Sequence, residues 1–179
     1  MLDTLGHRLP VCLTTAEAVT RRHNAVVNQM AIQLRRKNFE IWVEWRIVTP
    51  RGEWRPDLIV KVPCHKSRSG LTKGWVLDPT MVSDGCEDMN AELVRNQDKY
   101  DVADVVEEVK ELTNAQLDIS VVGVVWNWRG IMAPELIRQL LLMGMSRADL
   151  ENLCLTLVKG GAFTHQVSQL SKGRLPVGC

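Results

Sequence analysis

One segment of the chain, Val121 to Trp126, is apolar at almost every position and lies within a longer run from Ile119 to Trp128. A short run of this kind, rich in valine, is typical of a β-strand that is buried on both faces. Such a strand needs other strands beside it and helices on either side of the sheet. The segment therefore predicts an α/β domain with a central sheet.

The remaining sequence predicts the other layers. Ile41 to Val48 alternates between two faces, and the turn-forming residues Thr49 to Gly52 connect it in a hairpin to a second strand, Trp54 to Val62. Trp75 to Val82 predicts a third strand, and Ile119 to Trp128 the fourth. Capping residues and apolar spacings of three and four predict helices over residues 15–37, 87–113, 134–143 and 147–170. The predicted order is helix, three strands, helix, strand and C-terminal helices.

Charge is distributed unevenly, although the formal net charge is only +1. Arg21 to Lys73 holds twelve basic and four acidic residues, a balance of +8, whereas Gly74 to Ile119 holds three and twelve, a balance of −9. This asymmetry indicates either a basic surface that faces an anionic partner or two oppositely charged solvated faces of one domain.

The five cysteines form no Cys-x-x-Cys pair, which argues against a disulfide framework and for a reducing compartment. No apolar run approaches the roughly 20 residues of a membrane span, and no signal-peptide pattern is present. These patterns predict a cytosolic or nuclear protein with no membrane partner.

Two aspartates are candidate metal ligands. Strand alternation places Asp57 on the face of Ile59 and Asp78 on the face of Val76, so the two carboxylates converge if their strands are neighbours. Magnesium prefers oxygen ligands and often takes one or two carboxylates from the protein. The alternative is that each aspartate is a strand-end residue that bonds to backbone or pairs with arginine.

A lysine completes the candidate set. Lys99 continues the helical spacing of Val102, Val106 and Val109, so it is expected to point toward the sheet. There it would place a positive charge near an attacked phosphate. The alternative is a lysine whose stem snorkels past the edge of the core.

These residues form part of a longer pattern. Arg22-His23-Asn24, Arg55-Pro56-Asp57, Asp78, Lys99-Tyr100 and Trp128-Arg129-Gly130 follow one another along the chain. The series resembles the PD-(D/E)xK restriction-like endonuclease domain at the C-terminus of site-specific non-LTR retrotransposons, the group that inserts into ribosomal RNA or spliced-leader genes. The resemblance covers about residues 5–163. It implies a restriction-endonuclease-like core over residues 15–130, with a mixed sheet flanked by helices, and a helical extension over 131–179.

The resemblance also implies an activity. Asp57, Asp78 and the backbone carbonyl of Pro79 would hold Mg²⁺ or Mn²⁺, with Lys99 and Tyr100 supporting catalysis. Glu44 is either a third ligand or a partner of Arg46 or Arg55. The domain would nick double-stranded target DNA, and the 3′ hydroxyl would prime synthesis by the reverse transcriptase domain of the same polyprotein. This implies translation in the cytoplasm and action in the nucleus.

Contacts to the DNA backbone are expected from basic residues in the first half of the chain. These are Arg21, Arg22, Arg35, Arg36, Lys37, Arg51, Arg55, Lys66, Arg68 and Lys73. Three tryptophans, Trp42, Trp54 and Trp75, are candidates for surface contact, whereas Trp126 and Trp128 are expected in the core. Cys64-His65 has no second pair of ligands nearby, which favours an ordinary loop thiol over a metal site.

The N-terminal segment has a feature of its own. His7 and Cys12 are spaced like the second half of a CCHC zinc knuckle, which precedes the nuclease in these elements. Because a zinc site needs four ligands and the first two are absent, residues 1–14 are interpreted as the remnant of a knuckle that binds no zinc.

Two positions depart from the family pattern. Thr80 occupies the slot where many PD-(D/E)xK enzymes carry lysine, and Asn96 stands where related domains often carry a second lysine. Two alternatives therefore stay open: a DNA-binding module that keeps the nuclease fold without useful catalysis, and a stand-alone junction or repair nuclease.

Overall fold

The structure is a computed structural model of the 179-residue chain. It describes residues 16–62, 73–82, 86, 88–114, 119–127 and 129–172, the last five of these without side chains. The predicted knuckle remnant over residues 1–14, with His7 and Cys12, lies outside the described residues. So do Cys64, His65, Lys66, Arg68 and Trp128.

A four-stranded sheet forms the centre of the domain. The strands of the chain are β1 Glu40–Val43, β2 Ile47–Thr49, β3 Gly52–Trp54, β4 Leu58–Val62, β5 Lys73–Val82 and β6 Ile119–Asn127. The helices are α1 Ala16–Arg36, α2 Met89–Asp98, α3 Ala103–Thr113, α4 Pro134–Leu142 and α5 Arg147–Lys172. The sheet has the order β1-β4-β5-β6, and β2 pairs with β3 in a separate hairpin. The first two pairings in the sheet are antiparallel and β5–β6 is parallel, so the predicted mixed α/β architecture is confirmed.

The sheet is covered on both faces. On β4, Leu58, Val60 and Val62 contact a large cluster that includes residues of α1, α2, α4 and α5. Ile59 points the other way, into a smaller cluster with Val105 and Val109 of α3. This alternation follows from the two-residue period of a strand. The face of the sheet that carries Ile59 is therefore the one covered by α3. The sequence predicts Asp57 on this same face.

The predicted first and second strands are each interrupted. β1 ends at Val43, the next residue, Glu44, has φ of +49°, and β2 begins at Ile47. The second strand is likewise divided into β3 and β4 by the residues Arg55 to Asp57. The predicted hairpin turn is present, because β2 and β3 pair antiparallel from Ile47–Trp54 to Thr49–Gly52. The prediction of two continuous strands is wrong, because the hairpin forms an arm that leaves the main sheet.

The predicted helix over residues 87–113 is also wrong as a single element. α2 begins after Asp88, whose side chain accepts hydrogen bonds from the backbone N–H groups of Asn90 and Ala91 at 2.9 and 3.0 Å. It ends at Asp98, and Val102 precedes α3 in an extended conformation. Two short helices therefore replace one long helix, with Lys99 and Tyr100 at the break.

α2 packs against β6 at very close range. Gly123 lies under this helix, and a Cβ atom at that position would overlap the carbonyl oxygen of Leu93. A glycine removes that obstacle, so the helix backbone approaches the strand directly. The close approach is needed at the candidate site, because α2 carries Asn96 and ends next to Lys99.

α1 and α5 pack against each other through Arg22. Its side chain is 2% exposed, and a Cβ atom on Gly160 of α5 would lie 2.5 Å from the Cγ atom of Arg22. Burial lowers the pKa of this guanidinium. Arg22, one of the predicted DNA contacts, therefore lies buried between two helices. Within the described residues, none of the helices combines the length and apolar character needed to cross a membrane.

We predict that Gly123→Ala lowers the free energy of unfolding by about 1–3 kcal/mol, because α2 must move away from β6. Urea denaturation followed by circular dichroism measures the change. Ser120→Ala, at an exposed position of the same strand, is the matched control and should shift the free energy by less than about 0.5 kcal/mol. Equal stability of Gly123→Ala and wild type would contradict the close packing of α2 on β6.

Candidate active site

The candidate site lies where β4 ends and β5 continues. The β4–β5 ladder stops at the pair Leu58–Leu77, whereas β5 runs on beside β6 to the pair Val82–Asn127. Asp57 and Asp78 are the next residues beyond that last β4–β5 pair, so continuation of the register places them opposite each other. β4 has ended at this point, so no carbonyl group of β4 needs a hydrogen-bond donor from residue 79. This explains why the strand can contain Pro79, which has no backbone N–H.

Asp57 is held by a histidine from α1. The Nε2 atom of His23 lies 3.1 Å from Oδ1 of Asp57, and both side chains are largely buried. The backbone N–H of Glu44 donates to the carbonyl oxygen of Asp57 at 2.9 Å. The carboxylate and its backbone are therefore both fixed by other segments.

The pKa values of this pair follow from burial and charge. Burial raises the pKa of Asp57, the hydrogen bond with His23 opposes that rise, and the negative charge of Asp78 adds to it. The hydrogen bond to Asp57 raises the pKa of His23 against the opposing effect of burial. His23 thus places positive character next to Asp57 and Asp78, whose negative charges repel each other.

Asp78 is held by two residues at the end of α2. The amide nitrogen of Asn96 donates to Oδ2 of Asp78 at 2.9 Å, and Nζ of Lys99 donates to the same oxygen at 3.1 Å. Both donors therefore bind the same oxygen of this carboxylate.

Asn96 also connects two strands. Its side-chain nitrogen, Nδ2, donates to Oγ1 of Thr80 at 2.8 Å. Its side-chain oxygen, Oδ1, accepts from the backbone N–H of Val124 at 3.2 Å. Thr80 thus serves as an acceptor for Asn96 in the slot where lysine was considered. The asparagine joins β5 to β6 and fixes the orientation of Asp78 at the same time.

Lys99 and Tyr100 occupy the break between α2 and α3. The ammonium of Lys99 lies 4.6 Å from the centroid of the Tyr100 ring, within the range of a cation–π contact. Burial acts to lower the pKa of Lys99, but its interactions with Tyr100 and Asp78 outweigh that effect and raise it. The side chain is 52% exposed, so the charged lysine is accessible to a substrate.

Tyr100 anchors this break to the arm. Its ring is buried and meets Trp54 edge to face at a centroid distance of 6.2 Å. Its hydroxyl donates to the carbonyl oxygen of Arg55 at 3.1 Å, and burial raises its pKa to about 12. Tyr100 is therefore a neutral donor that fixes the position of the residues before Asp57.

The structure brings together Asp57, Asp78, Lys99 and Tyr100, with Pro79 beside them. Glu44 is exposed and its carboxylate pairs with Arg55 at 3.3 Å, which is the alternative that the sequence left open for it. In the part of the chain that the structure describes, no group of three or more histidine, cysteine, aspartate or glutamate residues is arranged to hold a metal ion. The candidate metal ligands from side chains are therefore the two aspartates.

The predicted DNA-contacting residues lie in several settings. Arg21 pairs with Glu17 at 2.7 Å, Lys37 with Asp149 at 3.0 Å and Arg51 with Asp104 at 3.0 Å. Arg35 donates to the carbonyl oxygen of Ile41 at 3.4 Å. Arg36 and Lys73 are exposed, the latter at the start of β5. Apart from Arg22, the described members of the set are at least partly exposed.

Sequence reasoning assigned no site role to His23. It stands three and four residues before Val26 and Val27, both in the buried stripe of α1, so the spacing that drew attention to Lys99 was also available here. Asn96 was noted only as a departure from the family pattern. It lies three residues after the buried Leu93, and this spacing indicates an inward orientation.

A cleft opens beside the two carboxylates. It has a volume of about 310 Å³ and is lined by Val19, Thr20, His23, Pro79, Thr80 and Met81. The cleft lies along the stretch of β5 that extends past β4, between that strand and α1. A substrate group that enters it comes directly against His23 and the strand that carries Asp78.

Comparison with known proteins gives one informative similarity. No family model matches the chain. The chain is 26% identical over 159 residues to the Retrovirus-related Pol polyprotein from type-2 retrotransposable element R2DM of Drosophila melanogaster. The match covers 88% of this chain but only 14% of the polyprotein. The similarity supports a domain related to non-LTR retrotransposons, which agrees with the broader part of the resemblance found in the sequence.

We predict that Asn96→Ala lowers the free energy of unfolding by about 1–3 kcal/mol, because the buried N–H of Val124 loses its acceptor. Thr80→Val is the matched variant, since it removes one bond of Asn96 and leaves those to Asp78 and Val124. Urea titrations should rank the loss as larger for Asn96→Ala than for Thr80→Val. Equal losses would show that the bridge to Val124 contributes nothing measurable.

Proposed function

We propose that the chain is a restriction-like endonuclease domain of the PD-(D/E)xK type from a non-LTR retrotransposon. It nicks double-stranded target DNA and leaves a 3′ hydroxyl that primes reverse transcription. One observation carries the proposal: continuation of the β4–β5 register places Asp57 opposite Asp78, and Lys99 donates to Asp78 at 3.1 Å while half of its side chain stays exposed. Two carboxylates and an accessible lysine are the groups that metal-dependent phosphodiester cleavage requires.

The donor set fits a magnesium or manganese ion. Magnesium usually binds through one or two carboxylates and keeps water or substrate phosphate in its other positions. Asp57 and Asp78 supply that number, and Pro79 adds a candidate backbone carbonyl. Burial raises the pKa of Asp57 and the charge of Asp78 adds to that rise, and a bound cation would offset both effects.

Residues of the chain prepare the pair for this task. A bound divalent cation supplies the Lewis acidity that polarises the phosphate and lowers the pKa of an attacking water. His23 holds Oδ1 of Asp57, and Asn96 holds Oδ2 of Asp78, so each carboxylate has one fixed oxygen. Hydrogen bonds of this kind, made to the carboxylates by neighbouring side chains, orient the ligands before the metal binds.

Lys99 is the proposed catalytic lysine. Its ammonium is anchored between Asp78 and the face of Tyr100, and its raised pKa keeps it charged. In that position it can orient the attacking water or stabilise negative charge that develops on the phosphate. Asn96 donates to Asp78, as Lys99 does, and also to Thr80. It therefore supplies a hydrogen bond where related domains often carry a second lysine, but no positive charge.

Binding of DNA is proposed to depend on the exposed basic residues. Arg21, Arg51 and Arg55 pair with carboxylates on an accessible surface, where ion pairs contribute little, so a phosphate can replace those partners. Such contacts position the duplex and make affinity dependent on salt, but they carry little sequence information. In the retrotransposon, the reverse transcriptase domain of the same polyprotein and a nuclear site of action complete the proposal.

We predict that the protein nicks supercoiled plasmid in Mn²⁺ or Mg²⁺, and that Asp57→Asn, Asp78→Asn and Lys99→Ala each lower the rate by at least about a hundredfold. The first two variants remove a ligand charge, and the third removes the positive charge at the phosphate. Gel analysis of plasmid conversion over time measures the rate.

Asp98→Asn is the matched control, because it removes an exposed carboxylate one residue from Lys99. It should nick like wild type. If wild type and Asp57→Asn bind plasmid equally and neither nicks it, the catalytic proposal fails, and the alternative of a DNA-binding module with the nuclease fold takes its place.

A second prediction concerns His23. His23→Ala should lower the affinity for Mn²⁺ by about 10–100-fold, because Asp57 loses the donor that orients it. His23→Gln offers an amide nitrogen at a similar reach and should restore part of the affinity. Isothermal titration with MnCl₂ measures binding without any nicking.

Asn24→Ala, at the neighbouring exposed position of α1, controls for general effects on the helix. It should bind Mn²⁺ as wild type does. Unchanged affinity in His23→Ala would remove His23 from the proposed site while leaving the two aspartates in it.

A further inference from the structure

The backbone makes an unusual turn beside the candidate site. Strand alternation would put Trp45 on the same side as Val43 and Ile47, yet β1 ends at Val43 and the next residue, Glu44, has φ of +49°. A residue other than glycine seldom adopts this left-handed conformation, because its Cβ crowds the carbonyl oxygen. The turn breaks the alternation, and Trp45 is left 45% exposed while Ile47 is buried.

The position of Trp45 is fixed relative to the catalytic candidates. The N–H of Glu44 donates to the carbonyl oxygen of Asp57 at 2.9 Å, and Nε of Arg55 donates to the carbonyl oxygen of Glu44 at 3.2 Å. The tryptophan therefore follows directly after the residue that is bonded to the backbone of Asp57. The backbone of Trp45 is therefore held close to that of Asp57.

The exposure of this ring sets it apart from the other tryptophans of the described residues. Trp126 is fully buried, and Trp42, Trp54 and Trp75 are partly buried against the core clusters. The sequence predicts Trp126 in the core and names the other three as candidates for surface contact. The ring with a largely open surface is instead Trp45, which the sequence pattern had placed in the alternating strand.

The surroundings of Trp45 are suited to an anionic ligand. Arg46 follows it, and its guanidinium pairs with Glu53 at 2.7 Å, with both side chains more than half exposed. Exposed pairs of this kind have a stability close to zero, so Arg46 can exchange Glu53 for a phosphate at little cost. Arg55, bound to Glu44 on the same turn, is in a similar position.

We propose that Trp45 stacks on a nucleobase of the target DNA next to the scissile phosphate, while Arg46 contacts a neighbouring phosphate. The inference rests on the proposed function, because Asp57 and Asp78 define where the scissile phosphate lies. An aromatic ring stacks on any base, so this contact selects DNA whose bases are unstacked near the cut and not a particular sequence. The Glu44 turn is the device that presents the ring.

The test measures DNA binding in the absence of divalent metal. Fluorescence anisotropy compares a labelled 30-bp duplex with the same duplex carrying two central mismatches, whose bases unstack more easily. Wild type should prefer the mismatched duplex. Trp45→Ala should lose roughly fivefold to a hundredfold in affinity for it, the range for loss of one base–aromatic stack, and should lose the preference as well.

Two variants make the result specific. Trp45→Phe keeps an aromatic face and should keep most of the preference. Leu142→Ala removes another large exposed apolar side chain, at the end of α4, and should bind both duplexes as wild type does. Thermal unfolding of each variant confirms that the fold is intact.

Three outcomes would overturn the inference: no DNA binding by wild type, equal affinity of wild type for both duplexes, or unchanged binding by Trp45→Ala. An equal loss on both duplexes would also overturn it, since that result indicates a general surface contact or a protein-binding site. The nicking assay is separate. If wild type does not nick but Trp45→Ala loses the mismatch preference, the DNA contact stands and the nuclease proposal fails. If wild type nicks but Trp45→Ala binds DNA as wild type does, the nuclease proposal stands and the DNA contact fails.

Discussion

Two carboxylates that face each other in a partly buried site repel, and the placement of the surrounding helices compensates for that repulsion. His23 comes from α1, Asn96 from α2 and Lys99 from the residue after α2, and each donates toward Asp57 or Asp78. Burial raises the pKa of Asp57 and so favours its neutral form. The donors supply positive character from two separate helices, so the positions of α1 and α2 on the sheet are coupled to the charge of the site.

Much of this arrangement was readable from periodicity. The strand pattern placed Asp57 and Asp78 on one face, and the register of β4 with β5 brings them opposite each other. Lys99 reaches Asp78, in agreement with its predicted inward orientation, but the helical spacing behind that prediction does not apply. That spacing requires one helix through Lys99 and Val102, whereas α2 ends at Asp98 and Val102 precedes α3. The chain breaks there because Tyr100 turns inward to bond Arg55, a contact between residues 45 apart in sequence that no local pattern encodes.

The errors elsewhere have the same physical origin. Glu44 carries no glycine or proline signal, so its positive φ and the end of β1 depend on the bond of its N–H to Asp57. Arg22 lies in a cluster of basic residues, which predicts an exposed surface. Its burial depends on Gly160, which lets α5 approach α1 from more than a hundred residues away. Propensity and charge patterns describe single elements well, but they do not include the partner that each element meets.

Asn96 shows how a departure from a family pattern can be understood from local charge. A second lysine at this position would add a positive charge to a site that already has Lys99 and a histidine of raised pKa. Two lysines would already balance the charges of the two aspartates, and the positive character of His23 would add to them, so little negative charge would remain to attract a divalent cation. Asparagine keeps the hydrogen bond to Asp78 and adds a bond to Val124 that an ammonium, which has no acceptor, cannot make. With Asn96 in place, the two aspartates face one positive charge fewer than they would with a second lysine, which favours the proposed metal site.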